Sequence, residues 1–302
     1  MTKDAGLVAR VEAPSFRIYG WIGILILAVA EFLLVKNNLF IKTWFTPIMW
    51  SGYILFADAL IYKLRGTSMI TDRLWQFLFM LPYSVVCWLI FEAYNLHLQN
   101  WKYIGLPENL AAQTTGYIWS FATIFPGVLF TSELIDISGI FDRVRLTQIS
   151  FSRRTLHLFI LVGLLFLIVP VFMPDKIAVF LFGPVWLGFI FILDPINYLM
   201  GGNSLFKELQ NGRINKLLSL FLAGLICGLL WEFWNYWATA KWVYIFPYLT
   251  KPKIFEMPLS GYFGFLPFAV EIYVMWEFAA SLLKFNLSSR IESTQKDSSA
   301  KP

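Results

Sequence analysis

The chain is poor in charge. Asp, Glu, Lys and Arg make up 14% of its 302 residues, against 58% hydrophobic and 19% aromatic. A soluble domain averages about 25% charged and about 45–50% apolar. The shortage excludes a water-soluble globule, because there is too little polar surface to cover one. Cysteine is also scarce. Cys87 and Cys227 are the only two, and both fall in apolar segments. They read as small core residues, not as a disulfide or a metal pair. His97 and His157 are the only histidines, and no His or Cys spacing suits a metal. There is no Ser-His-Asp order, P-loop or dinucleotide-binding glycine motif. Neither a metal nor a cofactor is expected. What remains is the chemistry of carboxyls, amides and aromatic rings.

Long apolar runs are abundant. A membrane helix needs about 20 apolar residues, and eight such runs are present, at 18–36, 44–64, 74–95, 116–135, 155–174, 177–199, 215–238 and 261–284. The fold class expected is all-α, a polytopic membrane bundle of eight helices. Pro126, Pro170, Pro184, Pro195 and Pro267 lie in or near these runs, where packed neighbours can satisfy the freed backbone groups. The opening residues, "MTKDAGLVARVEAPSFR", are polar and lack a short apolar core with a cleavage site. The first run therefore reads as a retained membrane helix.

The net charge of +5 is read as an orientation signal, with no nucleic-acid partner expected. Placing the N-terminus in the cytoplasm leaves seven of the 24 basic residues outside: Lys36, Lys42, Lys102, Lys176, Lys241, Lys251 and Lys253. The other 17 fall inside, so both termini are expected in the cytoplasm of a cell-membrane protein. The Ser- and Lys-rich tail, 286–302, reads as disordered.

The two halves resemble one another. "GYILFADALIYKLRGTS" at Gly52 aligns with "GFIFILDPINYLMGGNS" at Gly188, an offset of 136 that pairs Asp58 with Asp194. "FEAYN" at Phe91 meets "WEFWN" at Trp231, offset 140, pairing Glu92 with Glu232 and Asn95 with Asn235. "WKY" at Trp101 meets "WVY" at Trp242, offset 141, and "TGY" at Thr115 meets "SGY" at Ser260, offset 145. The offset grows in small steps, as loop insertions would make it. The expectation is two tandem four-helix repeats, 1–150 and 151–285, related by an axis near the membrane normal.

Glu31, Asp58, Glu92, Asp194, Glu232 and Glu271 fall within spans, and Glu133 and Glu277 near inner span ends. No span carries a well-buried basic partner, so the neutral acid is the expected form. Intramembrane acids commonly mark function. Glu92 and Glu232 sit near outer ends, with Asn95 and Asn235 beside them on the same helix face. Asp58 and Asp194 sit toward the inner side, each four residues before a Tyr. Together Asp58, Glu92, Asn95 and Asp194 are expected to form a polar network. The external loops after Glu92 and Glu232 carry Trp, Tyr and Pro and are expected to fold back as lids.

The last third of the chain carries a Trp-acid pair in a span (Trp231, Glu232), then Trp242-x-Tyr244, then Pro267 and Glu271 in the final span. This set resembles the lycopene cyclase domain of small integral-membrane carotenoid cyclases, which belong to carotenoid biosynthesis. That family has two adjacent glutamates after its proline, whereas "LPFAVEIY" has Glu271 alone, and the first half has "FPGVLF". The resemblance implies a cyclase or isomerase that protonates a double bond of an isoprenoid. Glu232 and Glu271 would be proton donor and acceptor, with Asn235 orienting Glu232. Trp231, Trp234, Trp237, Trp242, Tyr244 and Tyr262 would line the substrate pocket and stabilise a cation. The alternatives from the residues are a small proton-coupled transporter, as a dimer or larger oligomer, and a non-catalytic membrane scaffold. The partners expected are the lipid bilayer and a lipid-soluble small molecule.

Overall fold

A computed structural model describes residues 14–247 and 250–285; the tail at 286–302 lies outside the described residues. Long apolar runs become helices because a helix satisfies its own backbone, which an apolar medium requires. The chain runs through α1 (Ile18–Val35), α2 (Leu39–Arg65), the short α3 (Met69–Asp72) and α4 (Leu74–Leu98). Strand β1 (Trp101–Ile104) follows, then α5 (Leu110–Ala122) and α6 (Ile124–Ser138). The second half runs α7 (Arg153–Phe172), short α8 (Asp175–Ala178), α9 (Phe182–Leu199), short α10 (Leu205–Gln210) and α11 (Asn215–Trp237). Strands β2 (Lys241–Tyr244), β3 (Lys253–Ile254) and β4 (Met257–Pro258), a 3-10 turn (Leu259–Gly264) and α12 (Phe265–Leu282) complete it. Eight of these segments are long and apolar enough to cross a membrane, counting α5 with α6 and the 3-10 turn with α12. Their outer faces are apolar: Trp75 is 81% exposed and Trp21 58%, a surface that suits lipid and not water.

The all-α expectation holds in part: the described chain is mostly helical, but it also carries four short strands. β1 pairs antiparallel with β2, in the register Trp101↔Tyr244, Lys102↔Val243, Tyr103↔Trp242 and Ile104↔Lys241. β3 and β4 form a second small hairpin. Both lie in segments read from sequence as loops.

Two breaks in helices show how neighbours repair the backbone. Pro47 lies inside α2 and cannot donate to the preceding turn, and Trp44 leaves helical geometry (φ −104°, ψ 17°). The Thr239 N–H from the second half then donates to the Lys42 carbonyl at 2.7 Å. The helix expected at 116–135 is in fact two, α5 and α6, broken at Thr123 ahead of Pro126. Ser84 of α4 spans this break. Its hydroxyl donates to the Phe121 carbonyl (2.5 Å) and accepts from the Phe125 N–H (3.2 Å).

Asp58 and Asp194 cap the short helices. Asp58 accepts from the Met69 and Ile70 N–H groups (both 3.0 Å), and from Ser68 Oγ (2.7 Å) and Tyr19 OH (2.6 Å). Asp194 accepts from the Leu205 and Phe206 N–H groups at 2.8 and 2.9 Å. The first N–H groups of a helix lack partners, and a carboxylate supplies them. The tyrosines four residues on are engaged elsewhere: Tyr62 carries the Arg17 guanidinium on its ring, and Tyr198 bonds Gln210.

α1 packs along α2, and α7 along α9, through glycines. A Cβ at Gly23 would lie 2.5 Å from the Gly52 carbonyl oxygen, and one at Gly163 2.7 Å from that of Gly188. Small residues let membrane helices approach this closely. Replacing Gly188 with Leu is expected to destabilise the protein by about 1–3 kcal/mol through overpacking. Thermal unfolding in detergent micelles would show the fall in Tm.

Candidate functional site

The site is built from the C-terminal ends of α4 and α11. Asn235, the last buried polar residue of α11, acts as a surrogate backbone. Its Nδ2 donates to the Trp242 carbonyl (2.9 Å) and its Oδ1 accepts from the Trp242 N–H (3.0 Å). Asn95 treats Trp101 the same way, donating at 2.8 Å and accepting at 3.2 Å, and also takes the Asn100 N–H at 2.8 Å. Each strand is thus pinned at the end of a helix.

Strand alternation then sets the side chains. Residues two apart share a face, so Trp242 and Tyr244 both reach Glu232, through Nε1 at 3.3 Å and OH at 2.7 Å. Trp101 and Tyr103 both reach Glu92, at 3.2 and 2.6 Å. The register puts all four rings on one face of the ribbon. Burial, and next the adjoining carboxyl, push the Tyr244 and Tyr103 phenols well above the usual tyrosine value. Both therefore stay protonated and serve as donors.

The two acids differ in detail. Glu92 takes a third donor on the same oxygen, Trp88 Nε1 at 2.9 Å. The residue four before Glu232 is Gly228, whose missing Cβ makes room for the Phe265 ring. Glu232 is fully buried, and its Oε2 makes no hydrogen bond among the described residues; the Met257 N–H lies alongside it.

Beneath the ribbon lies a cavity of about 370 Å³. Seven of the 13 tryptophans line it: Trp44, Trp50, Trp88, Trp101, Trp186, Trp231 and Trp242. Phe268 is the hub of its wall. The rings of Trp88, Trp186 and Trp231 meet it edge-on at 5.9, 5.0 and 5.5 Å. Trp50 meets Trp231 at 4.8 Å, and Trp186 stacks on Phe91 at 5.7 Å. Lys241, on the ribbon's edge, is tied to Glu256 of the neighbouring hairpin at 2.6 Å.

Of the residues singled out from sequence, Trp231, Trp242 and Tyr244 line the cavity, with Glu232 and Asn235 directly behind the ribbon. Trp234 is buried against Trp50 and Tyr53, next to Glu31. Tyr262 is buried behind the wall, donating to the Ile254 carbonyl at 3.1 Å. Trp237 is 48% exposed, on the outer surface. Glu271 is fully buried, with neither oxygen hydrogen-bonded among the described residues. It lies three residues past Phe268, within electrostatic reach of Cys87 and Tyr94 on α4, and no bond joins it to Glu232. Asp58 and Asp194 cap helices, and no hydrogen bond among the described residues links them to Glu92, Asn95 or Glu232.

Sequence reasoning missed Trp50, Trp88, Trp186, Phe268, Trp101 and Tyr103 as site residues. The last two carried a usable signal: they stand 141 positions before Trp242 and Tyr244. Among the described residues no group of His, Cys, Asp or Glu is arranged to hold a metal. No protein-family model, curated protein or solved structure matches this chain.

Asn235→Ala removes both bonds that pin β2 and leaves two backbone groups of Trp242 unpaired. The expected cost is about 1–3 kcal/mol per buried group left unsatisfied. The ribbon loosens first. Hydrogen–deuterium exchange at 241–244 in detergent should rise well before exchange in the core of α12.

Proposed function

We propose that the protein is a cell-membrane enzyme, with both termini in the cytoplasm, that rearranges a lipid-soluble isoprenoid by protonating a double bond. The observation that carries this reading is a tryptophan-lined cavity closed by two tyrosine–glutamate pairs. An isoprenoid chain offers only alkenes and methyl groups, which suit such a wall. A carbocation formed within it would sit against Trp and Tyr faces, whose negative quadrupoles attract positive charge. The aromatic wall limits the water that could capture the cation.

The acid is Glu232, acting through Tyr244. With Glu232 protonated, the 2.7 Å contact carries its proton to the phenol oxygen while the phenol passes its own proton to an alkene carbon. One C–H bond forms, and the positive charge moves to the neighbouring carbon. Ring closure onto a second alkene, or a shift of the double bond, follows. A C–H bond next to the final cation breaks, and its proton returns through Tyr244 to the Glu232 carboxylate. No proton is consumed overall. Glu271, the acceptor implied by the family resemblance, does not line the cavity, so Glu232 takes both roles here. Asn235 positions Tyr244 by holding its strand.

Two tandem repeats, 1–150 and 151–285, underlie this site in our reading. What supports them is matched bonding at matched offsets: Asp58 and Asp194 on their caps, Asn95 and Asn235 on their strands, Glu92 and Glu232 on their Tyr-Trp pairs. Lys102, the counterpart of Val243, also pairs with it across the ribbon. A two-fold axis through that pair would relate the strands. The second repeat is taken as the active one because Glu232 is fully buried whereas Glu92 is only partly buried.

Glu232→Gln keeps the hydrogen bonds to Tyr244 and Trp242 but removes the proton. Its product yield is expected to fall roughly 10²–10⁴-fold, the usual contribution of general acid catalysis. Lipid extracts of isoprenoid-producing cells expressing wild type or the variant, compared by mass spectrometry, measure it. No isoprenoid difference between wild-type and empty-vector cells would contradict the proposal.

A further inference from the structure

The cavity is not sealed on all sides. Gly183, at the start of α9, and Gly264, just before α12, both line it. Both are also exposed on the outer surface of the bundle. An ideal Cβ built on either meets nothing within 4 Å. The same two glycines, with Trp186, also line a shallow apolar depression on the outside, whose other walls are Phe166, Leu187, Pro184 and Pro267. The cavity and this depression therefore share a wall at which two side chains are missing. Those outer walls belong to α7, α9 and α12, segments apolar and long enough to face lipid.

The corresponding place in the first half is filled. Counting back 136 residues from Gly183 gives Pro47, and 145 from Gly264 gives Trp119. Trp119 stacks on Trp44 with centroids 6.2 Å apart, and its Nε1 donates to Ser51 Oγ at 2.9 Å. Trp44 in turn lies over Gly116, where a Cβ would come within 3.0 Å of its ring. Two stacked indoles occupy the position that Gly264 leaves open.

From this we infer that the cavity is loaded sideways from the bilayer, through one portal between α9 and α12 framed by Gly183 and Gly264. Its cargo is a flexible, chain-like apolar molecule already dissolved in the membrane. The portal rests on the cavity's walls; that its cargo is an isoprenoid rests on the function proposed above. Trp186, shared by cavity and depression, is the side chain the cargo would pass. A passage framed by glycine and proline is narrow and apolar. It admits a thin unbranched or methyl-branched chain end-first and offers no hydrogen bond to a polar headgroup.

The test places a thiol inside. Thr46 is 6% exposed and lines the cavity, so Thr46→Cys reports only what gets in. The full chain is reconstituted in phosphatidylcholine vesicles and treated either with N-dodecylmaleimide, which partitions into the bilayer, or with a sulfonated maleimide confined to water. Modification at position 46 is followed by peptide mass spectrometry. Cys87 and Cys227, both buried, report folding in the same spectra. The lipid-soluble reagent is expected to react faster, and Gly264→Trp or, independently, Gly183→Phe to slow it by at least roughly tenfold. Faster reaction by the sulfonated reagent, or a rate untouched by both substitutions in a chain whose native cysteines stay protected, would overturn the portal. Glu232→Gln should leave the rate at position 46 unchanged while abolishing product formation, so failure of the portal and failure of the proposed chemistry are told apart.

Discussion

A carboxyl group inside an apolar bundle has to find donors, and at the C-terminal ends of α4 and α11 there are few. The helix has used its own N–H groups. Glu232 and Glu92 solve the problem by drawing down a strand each, and the indole and phenol that alternate along it become the donors. The asparagine one helical turn on holds the strand's backbone in place. Once both strands are pinned, their free edges meet and pair, because unpaired strand edges in such surroundings are costly. The ribbon, the cavity below it and the protonated state of its tyrosines all descend from those two acids.

The aspartates at the other end obey the same rule with a different partner. The unpaired donors there are the first N–H groups of α3 and α10, so the carboxyls turn to them. Acids of similar sequence setting thus divide by depth. Those at one end stabilise short helices and are fully committed. Those at the other end sit behind the ribbon that borders the cavity and accept from indole and phenol side chains.

Much of this was legible in the sequence. The spans were, because runs of about 20 apolar residues have few other uses. Their ends were less so. α2 begins at Leu39 rather than 44 because Asn38 caps it, accepting from the Ile41 N–H at 3.0 Å, and polar Lys42 and Thr43 in its first turn hid it. The break at Thr123 depends on Ser84, a residue of another helix. The Asp–Tyr spacing suggested contacts along one helix, but both carboxylates turn to helix N-termini, and the phenol that Asp58 takes is Tyr19 rather than Tyr62. The ribbon could not be read directly. Four-residue strands give almost no alternation to detect, and their partners lie 137 to 143 residues apart. Trp50 and Trp186 looked like any other tryptophan in a span, since helices packed on several sides show no single apolar stripe.

In the function proposed above, two half-chains surround one aromatic chamber whose occupant comes from the membrane. Native mass spectrometry of the full-length protein, released from mild detergent after purification from isoprenoid-producing cells, tests it most directly. One bound isoprenoid per chain is expected, retained through gentle activation, set free on unfolding, and depleted when Gly264→Trp closes the opening. A chain that carries no bound species, or only phospholipid in amounts that the substitution leaves unchanged, would contradict it.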